Sequence, residues 1–216
     1  MRFVTPSVLF CLLLTVTSLN GQTSDIPSTP TPPAQPAVLD AAPLFSVGAS
    51  EWMVTAGPAW GVVVFHSAGG HRYFLQTVSW GRVLTRPHGP GALRGTFEWA
   101  FEAVPIYGQW EPINTYGVGF TPLDWRWNFE PRGRLAPFAE LAGGVLWTRD
   151  PVPVRTTTAN FTAHAGGGVR YLIRPTQSLV ASYRFHHISN GNRLERNPGV
   201  NAHVLQVGWS LMRRPR

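Results

Sequence analysis

The sequence predicts an all-β chain, an eight-stranded antiparallel outer-membrane β-barrel, and three observations carry that expectation. Apolar and polar residues alternate with period two along most of the chain beyond residue 44, while helical periodicity is hard to find. The greasy face of that alternation is rich in tryptophan and phenylalanine, as interfacial girdles require. The opposite face carries charges of both signs, which can pair inside a narrow lumen. A soluble barrel with an apolar cavity has the same alternation, but an exposed apolar belt of this size is an aggregation hazard in water.

The chain opens with a basic start at Arg2, an apolar run from Val8 to Val16 and a small, polar stretch ending near Gly21. Residues 1–21 therefore read as a secretory signal peptide, since the run is far shorter than the ~20 residues of a spanning helix. The single cysteine, Cys11, lies inside that run, so the exported domain is expected to use no disulfide or thiol chemistry. Residues 22–43 are rich in proline, threonine, serine and alanine and read as a linker, with residues 44–216 as one barrel domain.

Strands are expected at 45–65, 71–84, 92–106, 114–129, 134–148, 159–174, 177–190 and 199–212, the first two being the least clean. The clearest pattern runs from Leu93 through Gly95, Phe97, Trp99 and Phe101, with Arg94, Thr96, Glu98 and Glu102 between them. Short turns at Pro131–Gly133 and Pro175–Thr176 alternate with longer connections at 107–113, 149–158 and 190–198, the one-sided loop pattern of a membrane barrel. Gly166, Gly167 and Gly168 interrupt a strand without the strand-then-helix setting of a phosphate loop, so close packing or barrel curvature is the better reading and nucleotide binding is rejected.

The 18 basic residues, every one an arginine, outnumber the 11 acidic ones and imply an anionic partner. Export disfavours nucleic acid and leaves phosphorylated lipid, which arginine binds in bidentate fashion. His66, His71, His88, His164 and His203 are scattered with no metal-ligand spacing; no metal or cofactor is expected.

Parity picks out one constellation, on the last hairpin. Tyr183, Phe185, His187 and Ser189 share a face with Leu179 and Ala181, and Asn201 shares one with His203, Leu205, Val207 and Trp209. If the connection is centred near Leu194, position 187 lies opposite 201 and position 185 opposite 203, which clusters His187, Ser189 and Asn201 on the lipid-facing wall. A histidine two residues from a serine on a strand has the adjacency that a nucleophile and its general base need.

His187-Ile188-Ser189-Asn190 followed by Asn197-Pro198-Gly199-Val200-Asn201, near the end of a small exported barrel, resembles the lipid A 3-O-deacylase family of outer-membrane barrels, often labelled acyloxyacyl hydrolases. Gly117-Val118-Gly119-Phe120, Trp125-Arg126-Trp127-Asn128-Phe129 and Ala136-Pro137-Phe138-Ala139-Glu140 add weaker likeness, so the resemblance spans most of residues 92–212. It implies an outer-membrane esterase that removes an ester-linked 3-hydroxyacyl chain from lipid A of lipopolysaccharide, with Ser189 as nucleophile and His187 as base. It also makes Asn190 and Asn197 oxyanion or substrate-binding candidates. The best-known members have a glutamate where this chain has Asn201, so the carboxylate that would orient His187 is missing; Glu195 in the loop is a possible substitute. The alternative is a catalytically silent barrel with a structural or surface-interaction role.

Overall fold

The computed structural model describes residues 39–193 and 195–215. The expected signal peptide, 1–21, and residues 22–38 of the Pro-rich stretch lie outside the described residues. Eight antiparallel strands close into a barrel in sequence order: β1 Ser50–Val62, β2 Arg72–Val83, β3 Gly95–Glu111, β4 Thr115–Phe129, β5 Leu135–Thr148, β6 Ala159–Arg174, β7 Gln177–Ser189 and β8 Val200–Arg213. β1 also pairs with β8, so no strand presents a free edge to lipid.

Strand boundaries agree with the alternation to within about three residues except in β1, which starts at Ser50 rather than 45 because Ala42–Phe45 forms a 3₁₀ helix, and in β3, which continues to Glu111 rather than stopping at 106. In β3 the reason is a bulge. Pro105 has no N–H to give the ladder, and the register shifts between Val104 and Tyr107. Beyond the shift the inward positions change from even (Glu98, Ala100, Glu102) to odd (Tyr107, Gln109), so the period-two signal breaks in mid-strand. A second shift, at Thr121-Pro122-Leu123 in β4, does the same on the neighbouring strand.

The outward face is apolar: Trp52, Trp60, Phe120, Trp125, Leu141, Trp147, Tyr171 and Leu205 are all exposed on the wall. A wall of this kind is compatible only with lipid around it. The lumen is filled in three layers. At the end where β1 begins, a short 3₁₀ helix, Ala42–Phe45, plugs the barrel, and Leu44 and Phe45 pack with Ala49, Val83, Ala136, Leu172 and Met212. Ala41, within the residues expected as linker, is buried in the same cluster. At the opposite end Tyr73, Leu75, Tyr107, Leu146, Ile188, Val200, Ala202 and Val204 form a second apolar layer.

Between the two layers lies a buried ionic lattice. Arg170 grips Glu51 with two nitrogens at 2.7 and 2.6 Å and reaches Asn128 at 3.0 Å. Asn128 donates to Glu98 at 2.8 Å, and Arg126 donates to Asp124 at 2.5 Å and Ser79 at 2.9 Å. Arg184 binds both oxygens of Glu102, at 2.9 and 2.8 Å, and Glu140 at 2.6 Å. In β6 the three glycines let neighbouring backbones close in: a Cβ at Gly166 would overlap the Tyr183 carbonyl and one at Gly167 the Phe138 carbonyl. Close packing is the physical reason for that run.

Replacing Arg184 by methionine leaves Glu102 buried with no cation in contact, so the variant is expected to lose about 3–5 kcal/mol of stability. Urea unfolding of the barrel in vesicles, followed by tryptophan fluorescence, measures the loss.

Candidate active site

The register of the last hairpin is the one expected from parity. His187 pairs with Asn201 and Phe185 with His203. His187, Ser189 and Asn201 point to the outer wall, while their neighbours Ile188, Val200 and Ala202 are fully buried in the apolar layer beneath. That layer anchors the backbone under the site. The site sits at the end of the barrel opposite the start of β1 and the end of β8, where Ser189 closes β7 and pairs with Phe161 of β6.

The imidazole of His187 is held on two sides. Its Nδ1 lies 2.7 Å from Oδ1 of Asn201. Gly199 lies against the other face: it has φ +66°, and a Cβ there would come within 2.9 Å of Cε1 of the ring. Only glycine combines that backbone conformation with that approach.

Asn201 is oriented in turn by the β1–β2 connection. Its Nδ2 donates to the backbone carbonyl of Val64 at 3.0 Å. A carbonyl can only accept, so the amide nitrogen must face Val64 and the amide oxygen must face His187. An oxygen partner requires that Nδ1 of His187 carry the hydrogen, leaving Nε2 with a free lone pair on the side away from Asn201.

The Val64 carbonyl is itself fixed by a tight turn. Ser67 N–H donates to it at 3.1 Å, and Phe65 and His66 between them both have positive φ, 53° and 62°. Bulky residues rarely occupy that region. The Ser67 hydroxyl holds them there, accepting from Val64 N–H at 3.2 Å and donating to the Val62 carbonyl at 3.0 Å. Ala68 N–H donates to Gly199 O at 2.9 Å, tying this turn to the β7–β8 loop. Asn201 is consequently buried although it faces outward.

The remaining expected residues divide differently. Ser189 is half-buried beside His187 on the same face, and its hydroxyl has no side-chain hydrogen bond among the described residues. Asn190 and Asn197 knit the loop together: Asn190 N–H donates to Oδ1 of Asn197 at 3.0 Å, and Asn190 Nδ2 to Arg196 O at 3.0 Å. Asn197 Nδ2 donates to Asn192 at 2.9 Å. Both amides are thus turned into the loop. Glu195 is exposed, and the ring nitrogen it would have to reach is taken by Asn201.

Sequence reasoning missed Val64, Ser67 and Arg193. Arg193 lies over the Phe161 ring at 5.1 Å, next to Ser189 in the adjoining row, with Nε donating to Asn190 O at 3.0 Å. No local pattern marks any of the three, because Val64 and Arg193 act through contacts with distant strands and Ser67 acts through Val64. For metal binding, Asp124, Glu140 and His164 bring possible ligand atoms within 4.8 Å of one another in the lumen. Arg126 and Arg184 already bind those two carboxylates, at 2.5 and 2.6 Å, and supply the positive charge a cation would bring.

A family model described as lipid A 3-O-deacylase (PagL) matches residues 72–210. No curated protein matches the chain. Among solved structures, the outer membrane enzyme PagL aligns at 15% identity over 74% of this chain and 98% of that one, with a TM-score of 0.49. The outer membrane protein OprG from Pseudomonas aeruginosa aligns at 6% identity over 78% and 97%, with a TM-score of 0.50, a likeness of fold.

Nitrogen-15 NMR of histidine-labelled protein is expected to find His187 as the Nδ1–H tautomer at neutral pH. In Asn201→Ala the same ring is expected to give averaged shifts of both tautomers.

Proposed function

The chain belongs to the lipid A 3-O-deacylase (PagL) family, and from that premise we propose that it is an outer-membrane serine esterase that removes an ester-linked 3-hydroxyacyl chain from lipid A. The observation that carries this reading is the Val64–Asn201–His187 relay, which presents a base nitrogen on the same wall as Ser189. Substitution of the orienting acid by asparagine is ruinous in a serine protease because the amide holds the wrong histidine tautomer. Here the Val64 carbonyl fixes the amide the other way round, so Asn201 selects the useful tautomer. It contributes no negative charge to stabilise the imidazolium, so the site gains orientation without that part of the acid's effect.

In the proposed reaction, the hydroxyl of Ser189 attacks the ester carbonyl and passes its proton to Nε2 of His187. The tetrahedral intermediate collapses with expulsion of the sugar oxygen, which takes that proton back, and the acyl chain stays on Ser189. Water, deprotonated by the same nitrogen, then releases a 3-hydroxy fatty acid and restores the serine. No cofactor enters any step. The oxyanion donors this scheme needs are assigned to Gly191 and Asn192, whose N–H groups occupy the two central positions of the 190–193 turn, where the turn's own hydrogen bond runs from Arg193 to Asn190. Asn190 and Asn197 hold that turn in shape. Arg193, beside Phe161, is placed to meet a phosphate of the lipid.

Purified protein refolded in detergent and mixed with lipid A is expected to shorten it by one hydroxyacyl chain, read by mass spectrometry, and Ser189→Ala to abolish the loss. Asn201→Ala is expected to lower kcat by about 10² or more, the contribution of a positioned base. Lipid A left intact by the unaltered protein across several detergents and lipid species would overturn the esterase reading and leave the silent barrel in its place.

A further inference from the structure

The basic segment that closes β8 plays no part in the site at the other end of the barrel. Its surroundings are specific. Ser50 at the start of β1 pairs with Arg82 of β2 on one side and with Arg213 of β8 on the other. All three stand on the outward parity of their strands, since the adjacent Glu51, Gly81, Val83 and Met212 are buried inward. Neighbouring strands are ~4.8 Å apart, so the two arginines flank the serine hydroxyl across about 10 Å, a gap their side chains can close around one phosphate.

The next row toward the bilayer centre is apolar. Trp52 pairs with Trp80 and with Leu211, again on the outward face. A guanidinium, hydroxyl, guanidinium row directly below an aromatic and aliphatic row has the order of a phospholipid at the interface, phosphate outside and glycerol with acyl chains within. Arg82 and Arg213 are exposed and make no ion pair among the described residues. Pro215 and the Arg82 guanidinium both lie beside Gly48: a Cβ there would be 3.4 Å from the one and 3.8 Å from the other. Pro215 and Arg82 thus meet around the same glycine.

Two of the three connections at this end, 130–134 and 175–176, are short, the third being 84–94, and three of the four at the opposite end are long, so this end is read as periplasmic and the leaflet it meets as the inner one. Arg86, Arg132, Arg134, Arg174 and Arg214 share this end, where Asp40 and Glu130 are the carboxylates among the described residues and Glu130 already pairs with Arg94 at 3.6 Å. Such a field repels the ammonium of a zwitterionic headgroup and attracts a net negative one.

We propose that Arg82, Ser50 and Arg213 form a cradle for the phosphodiester of an anionic glycerophospholipid in the inner leaflet, with Trp52, Trp80 and Leu211 against its glycerol and chains. The cradle is independent of the esterase reading, because it uses neither Ser189 nor His187. The test is native mass spectrometry of the full chain released from nanodiscs of equal parts phosphatidylglycerol and phosphatidylcholine. Phosphatidylglycerol is expected to be retained in preference, and the double variant Arg82→Ser, Arg213→Ser to reduce that retention roughly thirtyfold, as two interfacial arginines warrant. The control pair Arg149→Ser, Arg155→Ser at the opposite end is expected to leave it unchanged. Both substituted cradle side chains are exposed, and retained heat-modifiable migration verifies that the variant is folded. Equal retention of the two lipids, an unaffected double variant or an equal loss in the control would each overturn the proposal. Displacement of the lipid by excess inorganic phosphate would overturn it too, marking a site for a free anion.

Discussion

Everything outside the lumen depends on the charges inside it. Glu51, Glu98, Glu102, Asp124 and Glu140 are almost fully buried in a barrel whose outer face is hydrocarbon-compatible, and each is bound by Arg126, Arg170 or Arg184. With Ser79 included, the lattice touches every strand but β8. An unpaired charge in that position costs several kcal/mol, and a one-residue slip of any strand that bears a lattice charge would carry that charge to the lipid face. The bidentate grips of Arg170 on Glu51 and Arg184 on Glu102 therefore act on register as much as on stability. Arg184 lies three residues before His187, so the strand bearing the proposed base is pinned from within.

The outer wall inherits its precision from that interior. His187, Ser189 and Asn201 stand outward because Ile188, Val200 and Ala202 are sealed inward, and the pairing of 187 with 201 follows once β7 and β8 are in register. What the barrel cannot do alone is choose a tautomer. That choice is made by the carbonyl of Val64, reached across β1, and by the serine-braced turn that aims it. A neutral amide can replace a carboxylate in orienting a histidine only when a third group dictates which end of the amide faces the ring.

Arginine serves three separate purposes in this chain, although composition presents it as one excess. Arg126, Arg170 and Arg184 are lumen counter-ions. Arg193 stands beside the serine. Arg82 and Arg213 line the opposite rim, where the field is strongest and the anion it would meet belongs to the other leaflet. Composition points to phosphorylated lipid without saying which leaflet, because charge counts carry no direction along the barrel axis.

Much of this was legible in the residues themselves. Alternation of period two is a property of consecutive covalent neighbours, so strand number, most boundaries, the greasy wall and the shared face of His187, Ser189 and Asn201 could be read without coordinates. The bulge at Pro105 was not, since a shift of parity in mid-strand looks from the sequence like the end of a strand. The Pro-rich segment similarly concealed Ala41, which is buried only because a barrel end is there to receive it. The place of Asn201 could be read by parity, but its role showed only as a missing glutamate. Its meaning depended on a carbonyl 137 residues away, and which way an amide points is decided by contacts between distant strands, which no local pattern encodes.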